Sequence, residues 1–330
     1  MNFSEIFKGF NTRHNNAVHI SLDENCVKLI SGIKSTRNFF EHYSFLQFGR
    51  DSLISISPLG AVFSINGVLM SAERTLESIE ICCTLGNFSD ANILLRRYRD
   101  DLFFYLYIII VSQKTKLGDD ENDENMINWL NNNLENVTDI SQISDVQLEE
   151  FFRCFNANIN ETEQNEKNDN HVKNINRWLS NELKNLSGIL KYIAEFSELS
   201  DAVKKYNLKT TFDSIGKKLN DFVHANGISY YNKPYNHYGE GELKKVCDDL
   251  QEALDYVTVT FLFLSALCNP LSIMSSDYID YLDSGELPPE GSQYWVAPFV
   301  IDHFQNNKKY LDSNCMEYIQ EKTGMQLQEI

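Results

Sequence analysis

Between residues 67 and 110 apolar side chains recur at steps of three and four, and this pattern constrains the fold more than any other feature of the sequence. Val68, Leu69, Ala72, Leu76, Ile79, Cys83 and Leu85 are separated by Glu73, Arg74, Glu77 and Glu80. That spacing lays one apolar stripe along a 3.6-residue helix and leaves the charges opposite. Gly86-Asn87 is a C-terminal stop, and Ser89 or Asp90 can cap a second helix. That helix carries Ala91, Leu94, Leu95, Tyr98, Leu102, Tyr105, Leu106 and Ile109 on one side. Because the connection is short, the two helices are expected to form an antiparallel hairpin.

The same period returns over residues 178–196, 211–225 and 242–267, the last with a charged first half and an almost wholly apolar second half. Pro270 closes it, and residues 294–304 and 310–322 read as shorter helices. Residues 1–65 read differently, with β-like runs at 18–22, 27–30 and 53–56, an aromatic stretch at 39–48, and turns at Gly32, Gly49 and Gly60. The expected architecture is an all-α helical bundle over residues 66–268, preceded by an irregular extension (1–65) with short β elements and followed by a helical segment (269–330). Residues 156–176, dominated by Asn and Glu, have too few apolar groups to offset chain ordering and read as a mobile loop within the bundle.

Charge narrows the function classes. Against 29 Lys and Arg stand 47 Asp and Glu, a formal charge of -18, which repels polyanions at long range. DNA is not expected as a partner, and RNA is disfavoured. Cys26, Cys82, Cys83, Cys154, Cys247, Cys268 and Cys315 form no C-x-x-C pair, which fits a reducing compartment. The first residues show no secretory pattern, so a cytoplasmic location is expected. The apolar run at 103–111 is too short to span a bilayer, and that at 257–271 is broken by Thr258, Thr260, Ser265, Asn269 and Pro270, so no membrane role is expected.

Two motifs bear chemistry. In Leu94-Leu-Arg-Arg-Tyr-Arg-Asp-Asp-Leu102, Arg96 with Asp100 and Arg97 with Asp101 stand four apart on one helix. They make either a solvated face of weak ion pairs or, if Arg96, Arg97 or Arg99 turns into a cleft, a fixed guanidinium for phosphate or carboxylate. In Lys217-Lys-Leu-Asn-Asp-Phe-Val-His224, Asn220 and His224 share a helix face near its C-terminal end, where imidazolium is favoured. His224 there is either an acid–base group or a cap for backbone carbonyls. The loop that follows places Tyr230, Tyr231 and Lys233 together, suited to stacking bases beside a cation or to packing over helix ends. No H-E-x-x-H, paired C-x-x-C, Walker or G-x-S-x-G pattern occurs, so neither metal nor cofactor is expected.

Taken together, Leu94, Leu95, Arg96 and Asp100 on one helix and Phe222-Val-His224-x-Asn226-Gly227 ending another resemble the HEPN-like helical proteins of bacteria, including families found near defence genes, over about residues 66–268. The resemblance implies a helical bundle and often a dimer. In active members it implies metal-independent RNA cleavage by an R-N-x-x-x-H motif, with Arg and His activating the ribose 2′-OH. This chain keeps Asn220 and His224 but has Leu219 at the Arg position. Lys217 or Lys218 supplies charge there without the planar fork of arginine. The resemblance thus implies a degenerate member that acts through a protein partner or a homodimer in a defence or toxin-type system. Its alternative is an endoribonuclease using His224, Asn220, Arg96 and Asp100, with Arg97, Arg99, Lys218, Tyr230, Tyr231 and Lys233 as candidates to bind substrate.

Overall fold

In the computed structural model the described residues are 22–47, 53–56, 61–114, 189–191, 193–194, 199–223, 241–287, 289, 292, 295–311 and 314–327. They form nine helices: α1 (Glu24–Gln47), α2 (Ile65–Thr84), α3 (Phe88–Lys114), α4 (Ser200–Lys205), α5 (Leu208–Val223), α6 (Glu242–Cys268), α7 (Ser276–Ser284), α8 (Pro298–Asn306) and α9 (Asn314–Thr323). A short antiparallel hairpin, β1 (Leu53–Ile56) and β2 (Ala61–Ser64), is in register from Leu53 opposite Ser64 to Ile56 opposite Ala61. The architecture is an all-α bundle, as the periodicity implies.

α2 and α3 are the expected hairpin, and Gly86 at φ 71 makes the turn that an L side chain resists. The cap of α3 falls two residues before Ser89, the earlier of the two candidates in the sequence: Asn87 Oδ1 accepts from the Asp90 backbone N–H, while Asp90 supplies the first-turn acid. One region differs from its sequence reading more substantially. Residues 24–47, read as an irregular extension with a β-like run at 27–30, are a single helix. Cys26, Leu29, Ile33, Phe40 and Tyr43 of α1 are buried in the common core. Their spacing of three, four, seven and three is helical, and tertiary burial outweighs the local β preference of Val27 and Ile30.

α6 is the axis of the bundle and packs on both α1 and α3. Residues 256–266 are all buried, so the helix is apolar on every side there. Two of its buried hydroxyls are satisfied in pairs, Tyr98 with Thr258 at 2.7 Å and Tyr43 with Ser265 at 2.7 Å, and burial holds the pKa of the Tyr43 phenol up at about 12. Among the described residues α6 is the one helix long and apolar enough to cross a membrane, and 78% of that stretch lies inside the bundle. Such burial is also that of a core helix.

The C-terminal segment rests on this core. Met274 bridges Val296, and the Ala297 N–H donates to the Ile273 carbonyl, which ties α7 and α8 to the end of α6. α7 has no counterpart in the sequence reading, because its apolar side is narrow and its other side is acidic.

Candidate functional site

Three arginines crowd α3, and the fold sends them in different directions. Arg97 is 66% exposed and reaches Asp101 at 3.7 Å, while Asp101 accepts from Ser71 of α2 at 3.2 Å, so this pair faces the α2 side. Arg99 turns the other way, toward α5. Its side chain is only 4% exposed, and its Nε and Nη2 both donate to Asp100 Oδ1, at 3.0 and 2.8 Å. Its guanidinium carbon lies 5.4 Å from the Phe212 ring centroid. Burial pulls the guanidinium below its usual pKa, and the charge and hydrogen bonds of Asp100 oppose that shift.

Gly216 makes this approach feasible. A Cβ at that position would stand 2.7 Å from Arg99 Nη1. Hydrogen is the only side chain that lets the guanidinium lie against the α5 backbone. Arg96, at 28% exposure, makes a looser contact with the other oxygen of Asp100, Oδ2, at 3.8 Å. Arg96, Arg99 and Asp100 therefore form one cluster at the α3–α5 seam, with Asp100 bridging two cations.

Asn220 stands one helical turn beyond Gly216 on α5, and its Oδ1 is sheltered with no hydrogen-bond partner among the described residues. An amide oxygen without a donor is uncommon in a protein interior. Lys218 lies elsewhere: it reaches Asp249 of α6 at 3.7 Å, at the rim of a cavity of about 450 Å³ between α5, α6 and Lys309-Tyr310. Lys218 is thus not part of the arginine cluster. Leu219, at the Arg position of the R-N-x-x-x-H pattern, is 1% exposed and belongs to the core. His224, Tyr230, Tyr231 and Lys233 lie outside the described residues. Among the described residues no group of three or more His, Cys, Asp and Glu is placed to hold a metal ion.

The sequence reading leaves open which of the three arginines turns inward and does not include Gly216, although the sequence carries a signal for each. Arg99 lies four residues after Leu95 and three before Leu102, on the buried stripe itself. Gly216 interrupts the apolar pattern of Phe212, Ile215 and Leu219, and an isolated glycine inside a helix often marks a close approach.

No family model, curated protein or solved structure compared with the chain matches it. Its class rests on the fold alone, an all-α helical bundle in which one arginine, Arg99, is buried between two of the helices.

Proposed function

We propose that the chain is a HEPN-like helical protein that works by binding a protein partner, or a second copy of itself, in a bacterial defence or toxin-type system, and that its arginine cluster is a strut between helices. One observation carries this reading. Arg99, the arginine that reaches α5, is 4% exposed and directs two of its N–H groups to Asp100. Asp100 takes only two of the five N–H groups of the guanidinium, but burial at this depth shuts the rest off from a phosphate that arrives from solvent. The acidic balance of the chain supports the same reading, since RNA, DNA and anionic membrane surfaces are all repelled.

A second reading, a metal-independent endoribonuclease, draws on the sheltered Oδ1 of Asn220, four residues before His224 in the sequence, and on the partly exposed Arg96. In it His224 is the acid–base group, Asn220 orients the phosphate or ribose, and Arg96 supplies positive charge.

Fluorescently labelled single-stranded RNA, incubated with purified protein in a chelator, separates the two. Intact RNA, together with phage protection or toxicity that is unchanged by His224→Ala, supports the partner-binding reading. Cleavage by wild type that His224→Ala abolishes refutes it and installs the nuclease.

A further inference from the structure

The cavity of about 450 Å³ between α5, α6 and Lys309-Tyr310 has the size of a small-molecule site. Its walls follow from the sequence. Thr211, Ser214, Ile215, Lys218 and Leu219 recur at steps of three and four on one side of α5, as Val246, Asp249, Ala253 and Tyr256 do on α6. Thr211, Ser214 and Ala253 are small and leave the space that larger side chains would fill. The floor is apolar: Ile215, Leu219, Ala253 and Tyr256 are buried, and the Tyr310 ring stands edge-on to Tyr256 at 6.4 Å. One buried polar side chain borders it. Asn92 of α3 is 9% exposed, and its Nδ2 donates to the Phe88 carbonyl, which fixes the amide and leaves its Oδ1 to accept.

The rim carries both signs of charge. Lys218 and Asp249 pair across it at 3.7 Å. Glu252 and Lys309 line the same cavity and are exposed, and they form no ion pair with each other or with any other of the described residues. Lys309 Nζ lies 4.5 Å from the Tyr310 ring centroid. The nearby Asp255 carboxylate is already held by Gln251 and the Tyr310 hydroxyl, at 2.6 and 3.3 Å. Two opposite charges that face one cavity without meeting fit a guest that carries both. We infer that this cavity binds a free α-amino acid with a large apolar or aromatic side chain, its carboxylate at Lys309, its ammonium at Glu252 and its side chain over the Tyr256 floor. The site is separate from the arginine cluster and stands under either functional reading above. Two lysines balance two acids in the lining, so a phosphate meets repulsion from the acids and a polyamine from the lysines, while a zwitterion meets neither. A residue inside a polypeptide lacks both charged groups, which argues against a partner's side chain as the occupant.

The test is isothermal titration calorimetry of the full chain with L-phenylalanine, 3-phenylpropionate, which lacks the ammonium, and 2-phenylethylamine, which lacks the carboxylate. Phenylalanine binds in the micromolar to millimolar range, as suits a ligand of few atoms. Each analogue binds about fivefold more weakly, because the rim charges keep their contact with water. Glu252→Gln and Lys309→Gln each weaken phenylalanine by about fivefold, with far-UV circular dichroism unchanged because both side chains are exposed. Glu252→Gln does not weaken 3-phenylpropionate further, nor Lys309→Gln 2-phenylethylamine, since each contact is already missing. No binding of phenylalanine at millimolar concentration, equal binding of the two analogues or of N-acetylphenylalanine amide, or undiminished binding by both variants overturns the inference. RNA cleavage, present or absent, decides between the functional readings and leaves this site as the titration finds it.

Discussion

Gly216→Ala tests the arginine strut at its tightest point. The new Cβ falls 2.7 Å from Arg99 Nη1, so the guanidinium must retreat by roughly 0.7 Å or more to reach an ordinary contact. An exposed arginine would swing aside with little loss. Arg99 is 4% exposed, bound to Asp100 by two N–H groups and flanked by the Phe212 ring, so retreat breaks or stretches those contacts. Against this, alanine in a helix interior gains about 1 kcal/mol over glycine. A hydrogen bond to a charged group contributes about 1.5–3 kcal/mol, so losing the better of the two outweighs that gain. The expected result is a net loss of about 0.5–2 kcal/mol in urea unfolding followed by circular dichroism. In an Arg99→Met background the clash disappears, and the same substitution is expected to stabilise by about 0.5–1 kcal/mol. The coupling between the two sites is then at least about 1 kcal/mol. If Gly216→Ala stabilises equally in both backgrounds, Arg99 is not wedged against α5 and the strut argument fails.

Other outcomes follow from buried titratable groups. His303 has a sheltered Nε2 with no hydrogen-bond partner among the described residues and stacks on Phe39 at 4.3 Å, and burial lowers its pKa from 6.5 to about 4. The neutral ring is the form the fold holds, so stability present above about pH 6.5 is lost as the pH falls toward 4, by up to about 3 kcal/mol; His303→Phe flattens that slope in unfolding titrations. Asp255 is the opposite case. Burial raises its carboxyl above the usual range, against the hydrogen bonds from Gln251 and Tyr310, so its contribution is greatest at acid pH and is lost as the group ionises. Asp255→Asn is therefore expected to gain stability relative to wild type on going from about pH 4 to about pH 7.5, read from the same unfolding curves. Cys26 and Cys247 lie 3.5 Å apart in the core, and Cys83 is also buried, whereas Cys82 and Cys268 are partly exposed. Mass spectrometry after brief iodoacetamide treatment should find Cys82 and Cys268 modified well before the buried Cys26, Cys83, Cys247 and Cys315, and simultaneous labelling of Cys26 and Cys247 would contradict the packing of α1 on α6.

Much of the bundle is legible because helical periodicity is a local signal. α2, α3, α5 and α6 each carry a stripe three or four residues wide in step, and their ends fall within a few residues of the boundaries read from the sequence at Gly86, Thr211 and Pro270. α1 escapes because its stripe is interleaved with β-branched residues and a glycine, and only the core formed by α2, α3 and α6 makes its helix pay off in burial. Gly32 belongs to that packing: it leaves room for the Gln251 side chain of α6, a contact across more than two hundred residues that no window of sequence contains. The arginine cluster is legible in part. Pairing at four residues correctly places Arg96 with Asp100 and Arg97 with Asp101, but which arginine turns inward depends on where α5 lies and on the missing side chain at Gly216.

Salt separates the two functional readings more sharply than mutation alone. The charge of -18 repels RNA at long range, and that repulsion is screened beyond roughly 8 Å at physiological ionic strength and further at higher salt. If the protein is a nuclease held back only by its field, RNA cleavage rises as salt moves from about 50 mM to about 300 mM. If the buried Arg99 and the core Leu219 leave it without a fixed guanidinium to meet the phosphate, cleavage stays absent at both salt concentrations. The strut reading of the arginine cluster requires the second pattern, and cleavage that appears at high salt and disappears in His224→Ala refutes it.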